Sequence, residues 1–383
     1  MKKTLLIGLA MALAILPASA FAASSEPSFT VVPSQKPAET NYNELKGVAA
    51  VSATNAYAVG LTRSSKSGSV YKGLIEHFNG STWTVTPSAS VAAADTVYLN
   101  GVSATSASNV FAVGKDYSPT TEKSKSLIEH FNGTEWTRVA SPTEEPPNAT
   151  LNGVSADSTT DAWAVGESNS PNPHEGGTVT LIEHFNGTKW SVVEGAPEYP
   201  SSQFNRLGAV DAIAPNDVWV TGVTGKHHQP VIEHFNGSSW SVVEQAAPAS
   251  TLSSISGSSA NDVWIVGFAG ETPFSEHFNG SEVVEVPVPA VAAPSGVATA
   301  SELNGVVDLG PANVWAVGRV QTEGEPNTPL IEHFNGSSWS IVQSPTVAST
   351  ASLASVSGVA EGPVFAVGVQ GEEPNKAPLT IQN

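Results

Sequence analysis

The chain has 383 residues, a formal net charge of −19 and no cysteine. The lack of cysteine excludes a disulfide framework and any thiolate metal site. The acidic balance argues against nucleic acid and anionic lipid headgroups as partners, because both carry the same sign of charge as the protein.

The first 22 residues are typical of a secretory signal peptide. Lys2 and Lys3 form a short basic start, an apolar run covers 5–16, and small residues with A-x-A spacing end at Ala22. The apolar run is too short for a transmembrane helix, and no later segment reaches the required length. We therefore predict cleavage after Ala22, secretion to the extracellular side and no membrane insertion. The mature chain loses two lysines, which moves its net charge from −19 to −21.

The motif Glu-His-Phe-Asn-Gly occurs six times and sets the organisation of the mature chain. Its histidines are His77, His130, His184, His234, His277 and His333. Successive copies are therefore 53, 54, 50, 43 and 56 residues apart. Spacings in this range are typical of four-stranded propeller blades, such as the kelch repeat of ~50 residues and the WD40 repeat of ~40–45.

Each repeat predicts four short strands. An apolar strand that begins at a leucine is followed by a second strand of the form D-V-W-A-V-G and a third of the form L-I-E-H-F. The Asn-Gly pair then predicts a tight type I′ turn into a fourth strand of the form W-S-V-V. No stretch of the mature chain has apolar residues at helical spacing, so we predict an all-β fold.

The repeats predict seven blades, of which the last is split between the two ends of the chain. Six complete sets of strands begin at Leu45, Leu99, Leu151, Leu207, Leu252 and Leu303. A seventh begins at Leu353 and ends in its third strand, whereas residues 29–34 match the fourth strand at 83–88. We predict that the N-terminal segment 23–44 carries the closing strand, 29–34. Residues 45–383 then form a seven-bladed β-propeller of four-stranded antiparallel blades.

The D-V-W-A-V-G…L-I-E-H-F-N-G-S-S-W-S-V-V pattern resembles the repeats of secreted bacterial β-propeller proteins, which are similar in style to kelch and Asp-box propellers. The resemblance covers almost the whole mature chain and implies a propeller fold and export. It carries over no catalytic residue. Phe78 stands where an Asp-box has aspartate, and one glycine follows the second strand where kelch blades have two.

The glutamate and histidine of the repeated motif are adjacent on a strand, so they point to opposite faces of the blade. Because both faces of a blade are packed by neighbouring blades, we expect these side chains to form contacts that join one blade to the next. The histidine of one blade would meet the glutamate or a hydroxyl of the next. We predict no metal, no cofactor and no catalytic role for them. The predicted inter-blade residues are Glu76, His77, Glu129, His130, Glu183, His184, Glu233, His234, Glu276, His277, Glu332 and His333.

Antiparallel topology separates the connections into two faces. The loops between second and third strands and the connections between blades emerge on one side, here called the long-loop face. The Asn-Gly turns emerge on the other side, here called the Asn-Gly face. Long variable loops are predicted at 61–73, 115–126, 143–150, 167–180 and 287–302. Binding sites usually lie on such loops. The candidate ligand-binding residues on the long-loop face are Arg63, Tyr98, Tyr117, Tyr199, Arg206 and Arg319.

These features predict a secreted, non-catalytic binding or scaffold module that acts as a monomer through its long-loop face. The expected partner is a protein or a cell-surface glycan. One alternative is a glycoside hydrolase or lyase active on polysaccharides or sialosides, in which Arg63, Arg206 and Arg319 would converge near the axis with a tyrosine and paired carboxylates. A purely structural surface protein is a further alternative. All nine tryptophans lie at repeated strand positions, which favours packing over a sugar-binding platform.

Overall fold

The computed structural model describes residues 27–64, 70–89, 95–142, 148–170, 176–195, 199–200, 203–246, 250–293, 296–297 and 300–383. The predicted signal peptide, residues 1–22, lies outside these ranges. Within them every regular element is a β-strand, and the strands form seven four-stranded antiparallel sheets and one two-stranded ribbon. The predicted seven-bladed β-propeller is confirmed.

The first strand of the described residues is β1 (Thr30–Val31), which belongs to the last blade. The chain then builds each blade from the axis outwards. Blade I contains β2 (Thr40–Ser52), β3 (Asn55–Ser64), β4 (Tyr71–Phe78) and β5 (Trp83–Thr86). Blade II contains β6 (Thr96–Ser106), β7 (Asn109–Ser118), β8 (Lys123–Phe131) and β9 (Trp136–Val139). Blade III contains β10 (Thr150–Ala156), β11 (Ala162–Asn169), β12 (Thr178–Phe185) and β13 (Trp190–Val192).

The remaining blades follow the same order. Blade IV contains β14 (Arg206–Ala214), β15 (Asp217–Thr224), β16 (Gln229–Phe235) and β17 (Trp240–Val243). Blade V contains β18 (Thr251–Ser259), β19 (Asp262–Ala269), β20 (Thr272–Phe278) and β21 (Val283–Glu285), and the ribbon of β22 (Ala292–Ala293) and β23 (Gly296–Val297) follows it. Blade VI contains β24 (Ala300–Asp308), β25 (Val314–Gln321), β26 (Thr328–Phe334) and β27 (Trp339–Ile341). Blade VII contains β28 (Ala351–Gly358), β29 (Val364–Gln370), β30 (Ala377–Gln382) and β1.

The N-terminal strand closes the ring. β1 pairs antiparallel with β30, and the pairing continues where the Val32 amide donates to the Thr380 carbonyl at 2.9 Å. The chain then crosses to blade I, where Ser34 forms a parallel bridge with Trp83. The same short segment therefore completes blade VII and also contacts the outer strand of blade I.

Two of the predicted long loops are largely strand. β3 continues to Ser64 and β4 begins at Tyr71, and β7 and β8 are separated only by the turn between Ser118 and Lys123. Most side chains of these extensions are polar, so no hydrophobic alternation identified them as strands in the sequence. For the same reason blade I begins at residue 40 rather than 45. Parts of the predicted loops 143–150, 167–180 and 287–302 lie outside the described residues.

The blades pack on one another through aromatic rings. The aromatic residue of each second strand contacts a ring on the third or fourth strand of the next blade. Trp163 of blade III, for example, lies 5.2 Å from Phe235 and 5.7 Å from Trp240 of blade IV, measured between ring centroids. Equivalent pairs at the seven interfaces are Tyr57–Trp136, Phe111–Trp190, Trp163–Trp240, Trp219–Phe278, Trp264–Trp339, Trp315–Phe29 and Phe365–Trp83.

The fourth-strand tryptophans meet these rings at nearly right angles, with interplanar angles of 78–90°. Their buried indole N–H groups have no conventional hydrogen-bond partner among the described residues. The perpendicular arrangement is the one in which an N–H edge can meet the face of an aromatic ring, which is a weak interaction that partly compensates its burial. The tryptophans concerned are Trp83, Trp136, Trp190, Trp240 and Trp339.

The glutamate of the repeated motif is buried against the preceding blade. In three cases the serine that follows the fourth strand of one blade donates a hydrogen bond to the glutamate of the next. These pairs are Ser34 with Glu76 at 2.7 Å, Ser88 with Glu129 at 2.8 Å and Ser141 with Glu183 at 2.8 Å. At the next interface Gly195 occupies the serine position, and the Tyr199 hydroxyl donates to Glu233 at 3.0 Å instead.

Glu332 differs from the other members of this set. Val288 occupies the serine position of the preceding blade, and neither carboxylate oxygen of Glu332 has a hydrogen-bond partner within the described part of the chain. Burial raises its pKa to about 8. Glu76 is equally buried, but the Ser34 hydroxyl opposes the effect of burial and its pKa is raised only to about 7. Burial without a hydrogen-bond donor therefore favours the neutral form of the Glu332 carboxyl group.

The histidines of the motif make their hydrogen bonds within their own blade. Each Nε2 lies 2.7–3.2 Å from a side-chain oxygen at the start of the second strand, and each ring packs on the second-strand aromatic ring at 4.2–4.8 Å. The oxygens belong to Asn55, Asn109, Asp161, Asp217, Asp262 and Asn313. This corrects the expectation that His77, His130, His184, His234, His277 and His333 pair with the next blade. Each histidine instead supports the aromatic ring that its own blade presents to that neighbour.

A substitution of Phe29 tests the closing strand. Phe29 is 5% exposed and takes the place of the tryptophan at the interface between blades VI and VII. We expect Phe29→Ala to lower the free energy of unfolding by about 3–5 kcal/mol, because it leaves a cavity in that interface. Urea denaturation measures the change. Val31→Ala, on the same strand but 45% exposed, is the matched control and should cost less than about 0.5 kcal/mol. Equal effects of the two substitutions would refute the closing role.

The buried acids predict a pH dependence of stability. Burial raises the folded-state pKa values of Glu76 to about 7 and Glu332 to about 8, above the usual value near 4.5. The stability that these groups contribute is fully present below about pH 4.5 and is lost as the pH rises through 7 and 8. One unit of pKa shift corresponds to about 1.4 kcal/mol, so the loss is on the order of a few kcal/mol. The melting temperature should therefore fall between pH 6 and 9.

Glu332→Gln should flatten this decline, because the amide carries no charge at any of these pH values. Glu135→Gln, which changes an exposed glutamate beside an Asn-Gly turn, should leave the curve unchanged. A wild-type melting temperature that rises from pH 6 to 9 would contradict the prediction.

Candidate functional site

The innermost strands line an axial cavity of about 310 Å³. The residue after the buried leucine of each first strand lines it, and these residues are Lys46, Asn100, Asn152, Gly208, Ser253, Asn304 and Ala354. The asparagines link neighbouring blades, since Nδ2 of Asn100 and of Asn152 each donates to a leucine carbonyl of the next blade at 2.9 Å. Among the described lining residues Lys46 is the one that carries a charge, so the cavity is polar and weakly positive.

Three tyrosines lie side by side on the long-loop face near one side of this cavity. The Tyr42 and Tyr71 rings of blade I are 5.7 Å apart between centroids, and Tyr71 lies 5.5 Å from Tyr98 of blade II. All three are half-buried. Strand pairing sets this arrangement, because Tyr42 is opposite Arg63 and Arg63 is opposite Tyr71 across β2, β3 and β4. Directly opposed residues share one face of a sheet and therefore contact one another.

Four cations lie over these rings. The Arg63 guanidinium is 5.2 Å from the Tyr42 centroid and 5.3 Å from that of Tyr71. Lys376 Nζ lies 5.0 Å from the Tyr42 centroid, and Lys115 and Lys46 lie 4.9 and 5.8 Å from that of Tyr98. Such cation–π contacts hold both partners in place without removing the charge. We call the seven residues the tyrosine–cation row: Tyr42, Lys46, Arg63, Tyr71, Tyr98, Lys115 and Lys376.

One end of the row is neutralised by the chain itself. The Glu373 carboxylate of blade VII accepts from Arg63 Nη2 at 3.4 Å and lies 3.7 Å from Lys376 Nζ. Arg63 Nη1 also donates to the Tyr71 hydroxyl at 3.0 Å. The Tyr42 hydroxyl donates to Glu44 at 2.7 Å, and burial together with this acceptor raises the Tyr42 pKa.

The other end of the row keeps its positive charge. Within the described ranges no carboxylate oxygen forms a salt bridge with Lys46 or Lys115. Lys46 Nζ donates to Asn100 Oδ1 at 3.3 Å. Burial lowers the pKa of Lys46, Glu44 acts in the opposite direction, and the charge of Lys115 lowers the pKa further. Two lysines therefore place their positive charges beside the polar cavity.

The six predicted ligand-binding residues have different surroundings. Arg63 and Tyr98 belong to the tyrosine–cation row. Tyr117 lies two residues beyond Lys115 on β7 and is half-buried in the hairpin of blade II. Tyr199 is half-buried between blades III and IV, where its hydroxyl donates a hydrogen bond to the buried Glu233. Gly195 occupies the position of the serine in this blade, and the Tyr199 hydroxyl takes over the hydrogen bond to the glutamate.

The three arginines considered for a catalytic cluster lie on three different blades. Arg63 of blade I contacts Glu373, and Arg319 of blade VI forms a salt bridge of 2.8 Å with Glu302. Arg206 of blade IV is exposed and acts electrostatically on Glu167 of blade III, whose pKa burial raises. Each arginine thus has its own surroundings, and no contact among the described residues links them.

Five members of the row were not among the predicted ligand-binding residues: Tyr42, Lys46, Tyr71, Lys115 and Lys376. Tyr42 lies before the first leucine, in the segment assigned to the N-terminus rather than to a blade. Lys46 follows that leucine directly, at the position where most other repeats have asparagine, serine or a smaller residue. This departure from the repeat was the one signal in the sequence that pointed to the axial cavity.

No cluster of three or more His, Asp or Glu side chains that could hold a metal ion occurs in the ranges described above. The same ranges contain no helix long and apolar enough to cross a membrane.

The sequence matches no known family model and no curated protein. Several solved structures share its fold. A structure of YCF48 with a bound D1 peptide has 12% identity and a TM-score of 0.53, over 94% of this chain and 99% of the other. A protein of unknown function from Dyadobacter fermentans has 9% identity and a TM-score of 0.52, over 93% and 98%.

The sialidase of Trypanosoma rangeli, in complex with 2,3-difluorosialic acid as a covalent intermediate, has 11% identity and a TM-score of 0.50. The match covers 92% of this chain and 56% of the sialidase, so this chain spans about half the length of that enzyme. At these identities the similarities show the β-propeller fold and leave function to be argued from the site.

Proposed function

We propose that this protein is a secreted β-propeller that binds a protein segment through the tyrosine–cation row on its long-loop face. The observation that carries the proposal is the row itself, three half-exposed rings interleaved with four cations. Tyrosine and arginine are enriched among the residues that dominate the energy of protein interfaces. The row is also continuous across blades VII, I and II, which gives an extended ligand a path to follow.

The rigidity of the row favours binding. Its side chains are held by strand pairing and by contacts with one another, so little rotamer freedom remains to be lost when a ligand binds. Tyrosine in particular combines a large contact area with few rotatable bonds. The Asn-Gly face lacks these features, because its turns are short and nearly identical from blade to blade.

Two further observations support a protein ligand outside the cytoplasm. A propeller of the same fold, YCF48, binds a peptide. The sequence of residues 1–22 is typical of a signal peptide, and the repeats resemble those of secreted bacterial propellers. We infer that the mature chain acts as a monomer, with no cofactor, in the extracellular space or at the cell surface.

A sialoside-active glycoside hydrolase is the second candidate, and the structural similarity to the Trypanosoma rangeli sialidase favours it. Such chemistry requires convergent arginines and paired carboxylates near one sugar ring. Arg63, Arg206 and Arg319 lie on blades I, IV and VI, so they offer less support for hydrolysis than the tyrosine–cation row offers for binding. Release of sugar from sialosides or polysaccharides would favour this candidate.

Selection from a random peptide display library tests the binding proposal. We expect the mature chain to enrich related peptides, and the affinity of a selected peptide to be measured by fluorescence anisotropy. Tyr71→Ala and Arg63→Ala should each weaken binding by about tenfold or more, which corresponds to about 1.4 kcal/mol. Both residues lie at the centre of the row and bond to each other, so each substitution removes a central contact of the proposed binding surface.

Lys189→Ala, which removes an exposed cation from an Asn-Gly turn on the opposite face, is the matched control and should bind normally. Selected peptides whose affinity survives Tyr71→Ala and Arg63→Ala would refute the proposed site. A library that yields no enriched peptide would refute the binding proposal and favour a purely structural protein.

A further inference from the structure

The charge at the Lys46–Lys115 end of the row stands out against the rest of the protein. The mature chain is strongly acidic, yet these two lysines form no salt bridge with any described carboxylate. Glu167 acts electrostatically on Lys115, but its own carboxylate is engaged by Asn152 Nδ2 at 2.6 Å. Glu44 acts electrostatically on Lys46 as well, but neither lysine has a carboxylate at salt-bridge distance among the described residues, so both ammonium groups can still contact a bound anion.

The opposite end of the row shows how a carboxylate is accommodated. Glu373 bridges Arg63 and Lys376 from an exposed position, with its side chain 58% exposed. Those two cations lie over Tyr42 in the same way as Lys46 and Lys115 lie over Tyr98. The two ends are thus similar in chemistry, but among the described residues only the cations of the Glu373 end form salt bridges with a carboxylate.

The shape of the Lys46–Lys115 end also suits a ligand group. Lys115 is directly opposite Tyr98 in the pairing of β6 and β7, so strand register holds one lysine beside the ring. Lys46 lines the axial cavity and is held by Asn100. A carboxylate between the two ammonium groups would have the Tyr98 ring on one side and the polar carboxamides of the cavity on the other.

We propose that Lys46, Lys115 and Tyr98 form a carboxylate subsite that recognises an acidic peptide at the mouth of the axial cavity. This inference rests on the proposed peptide-binding function and specifies its ligand class. The carboxylate is an aspartate or glutamate side chain or the C-terminus of the bound peptide. Nucleic acid does not fit, because a phosphate backbone would extend beyond the two lysines over a surface of net negative charge.

The net charge of the protein does not prevent local attraction. At physiological ionic strength the Debye length is about 8 Å, so exposed acids farther away are largely screened. The two ammonium groups at the subsite are close to the bound carboxylate and partly shielded from water, and their interaction with it is screened much less. If an acidic probe binds to this acidic protein, the binding therefore indicates a local, positively charged site.

Unlabelled peptides of defined charge test the subsite by isothermal titration calorimetry, because a fluorescein label would add a carboxylate to every probe. The probes are a hexaglutamate peptide blocked at both ends, an N-acetylated Gly-Ser peptide with a free C-terminus, and a hexaglutamine peptide blocked at both ends as the uncharged match. At about 0.15 M ionic strength we expect one of the two carboxylate probes to bind at least about tenfold more tightly than hexaglutamine. Hexaglutamate binding identifies a side-chain carboxylate, and binding of the Gly-Ser peptide identifies a C-terminal one.

Lys115→Gln should lower the affinity for the carboxylate probe about fivefold or more, and Lys46→Gln should lower it to a similar extent. Lys189→Gln on the Asn-Gly face is the matched control and should leave the affinity unchanged. Melting curves of the three variants establish that each is folded. Lys115 is half-exposed on a hairpin strand, so its substitution is not expected to unfold the ring.

Equal binding of hexaglutamate, the Gly-Ser peptide and hexaglutamine would overturn the subsite, as would full affinity in the Lys115→Gln variant. Tighter binding of an oligogalacturonate, a glycan that also carries carboxylates, would overturn the assignment to a peptide. Failure of this inference is distinguishable from failure of the proposed function. Peptides from the random library that depend on Tyr71 but carry no acid would overturn the subsite and leave the binding function standing.

Discussion

The contact on which the whole structure depends is the packing of one blade's second-strand ring against the outer strands of the next blade. The propeller has no single core. Its buried apolar residues form seven clusters, and each cluster joins two neighbouring blades. A blade is therefore stable only when both neighbours are present, and the last interface must be closed by some part of the chain. Phe29 closes it, because the N-terminal strand places its ring against Trp315 in the position that tryptophan occupies elsewhere.

Polar groups within these interfaces add specificity to the packing. Four of the buried glutamates accept hydrogen bonds from a serine or tyrosine of the preceding blade. Hydroxyls on the innermost strands accept from the backbone of the next blade. Ser103 and Ser155, for example, each accept an amide N–H of the following first strand at 3.0 Å. A blade shifted along its neighbour would leave several of these groups unpaired, which is costly in a buried interface. Glu332 is the one motif glutamate with both oxygens unpartnered among the described residues.

This rigid ring explains why the tyrosine–cation row is a credible binding surface. Tyr42, Arg63 and Tyr71 come from three paired strands of blade I, Tyr98 and Lys115 from blade II, and Lys376 from blade VII. Their spacing therefore follows from strand pairing and from the packing of three blades, both of which are fixed in the folded state. Side chains held in this way retain their charge and ring faces for a ligand, whereas the same residues on independent loops would first have to be ordered.

The sequence by itself determined the number of blades, the four strands of each and the split seventh blade, because every repeat contains its own turn signals and apolar strand positions. It also identified Arg63 and Tyr98 as candidates. Only the tertiary structure decided that these two belong to one row with Tyr42, Tyr71 and Lys46, that the motif histidines bond within their own blades, and that Tyr199 enters a blade interface. Each repeat encodes its own strands. Residues of different blades become neighbours at the cavity mouth only when the ring closes, which brings the segments near positions 42, 98 and 376 together.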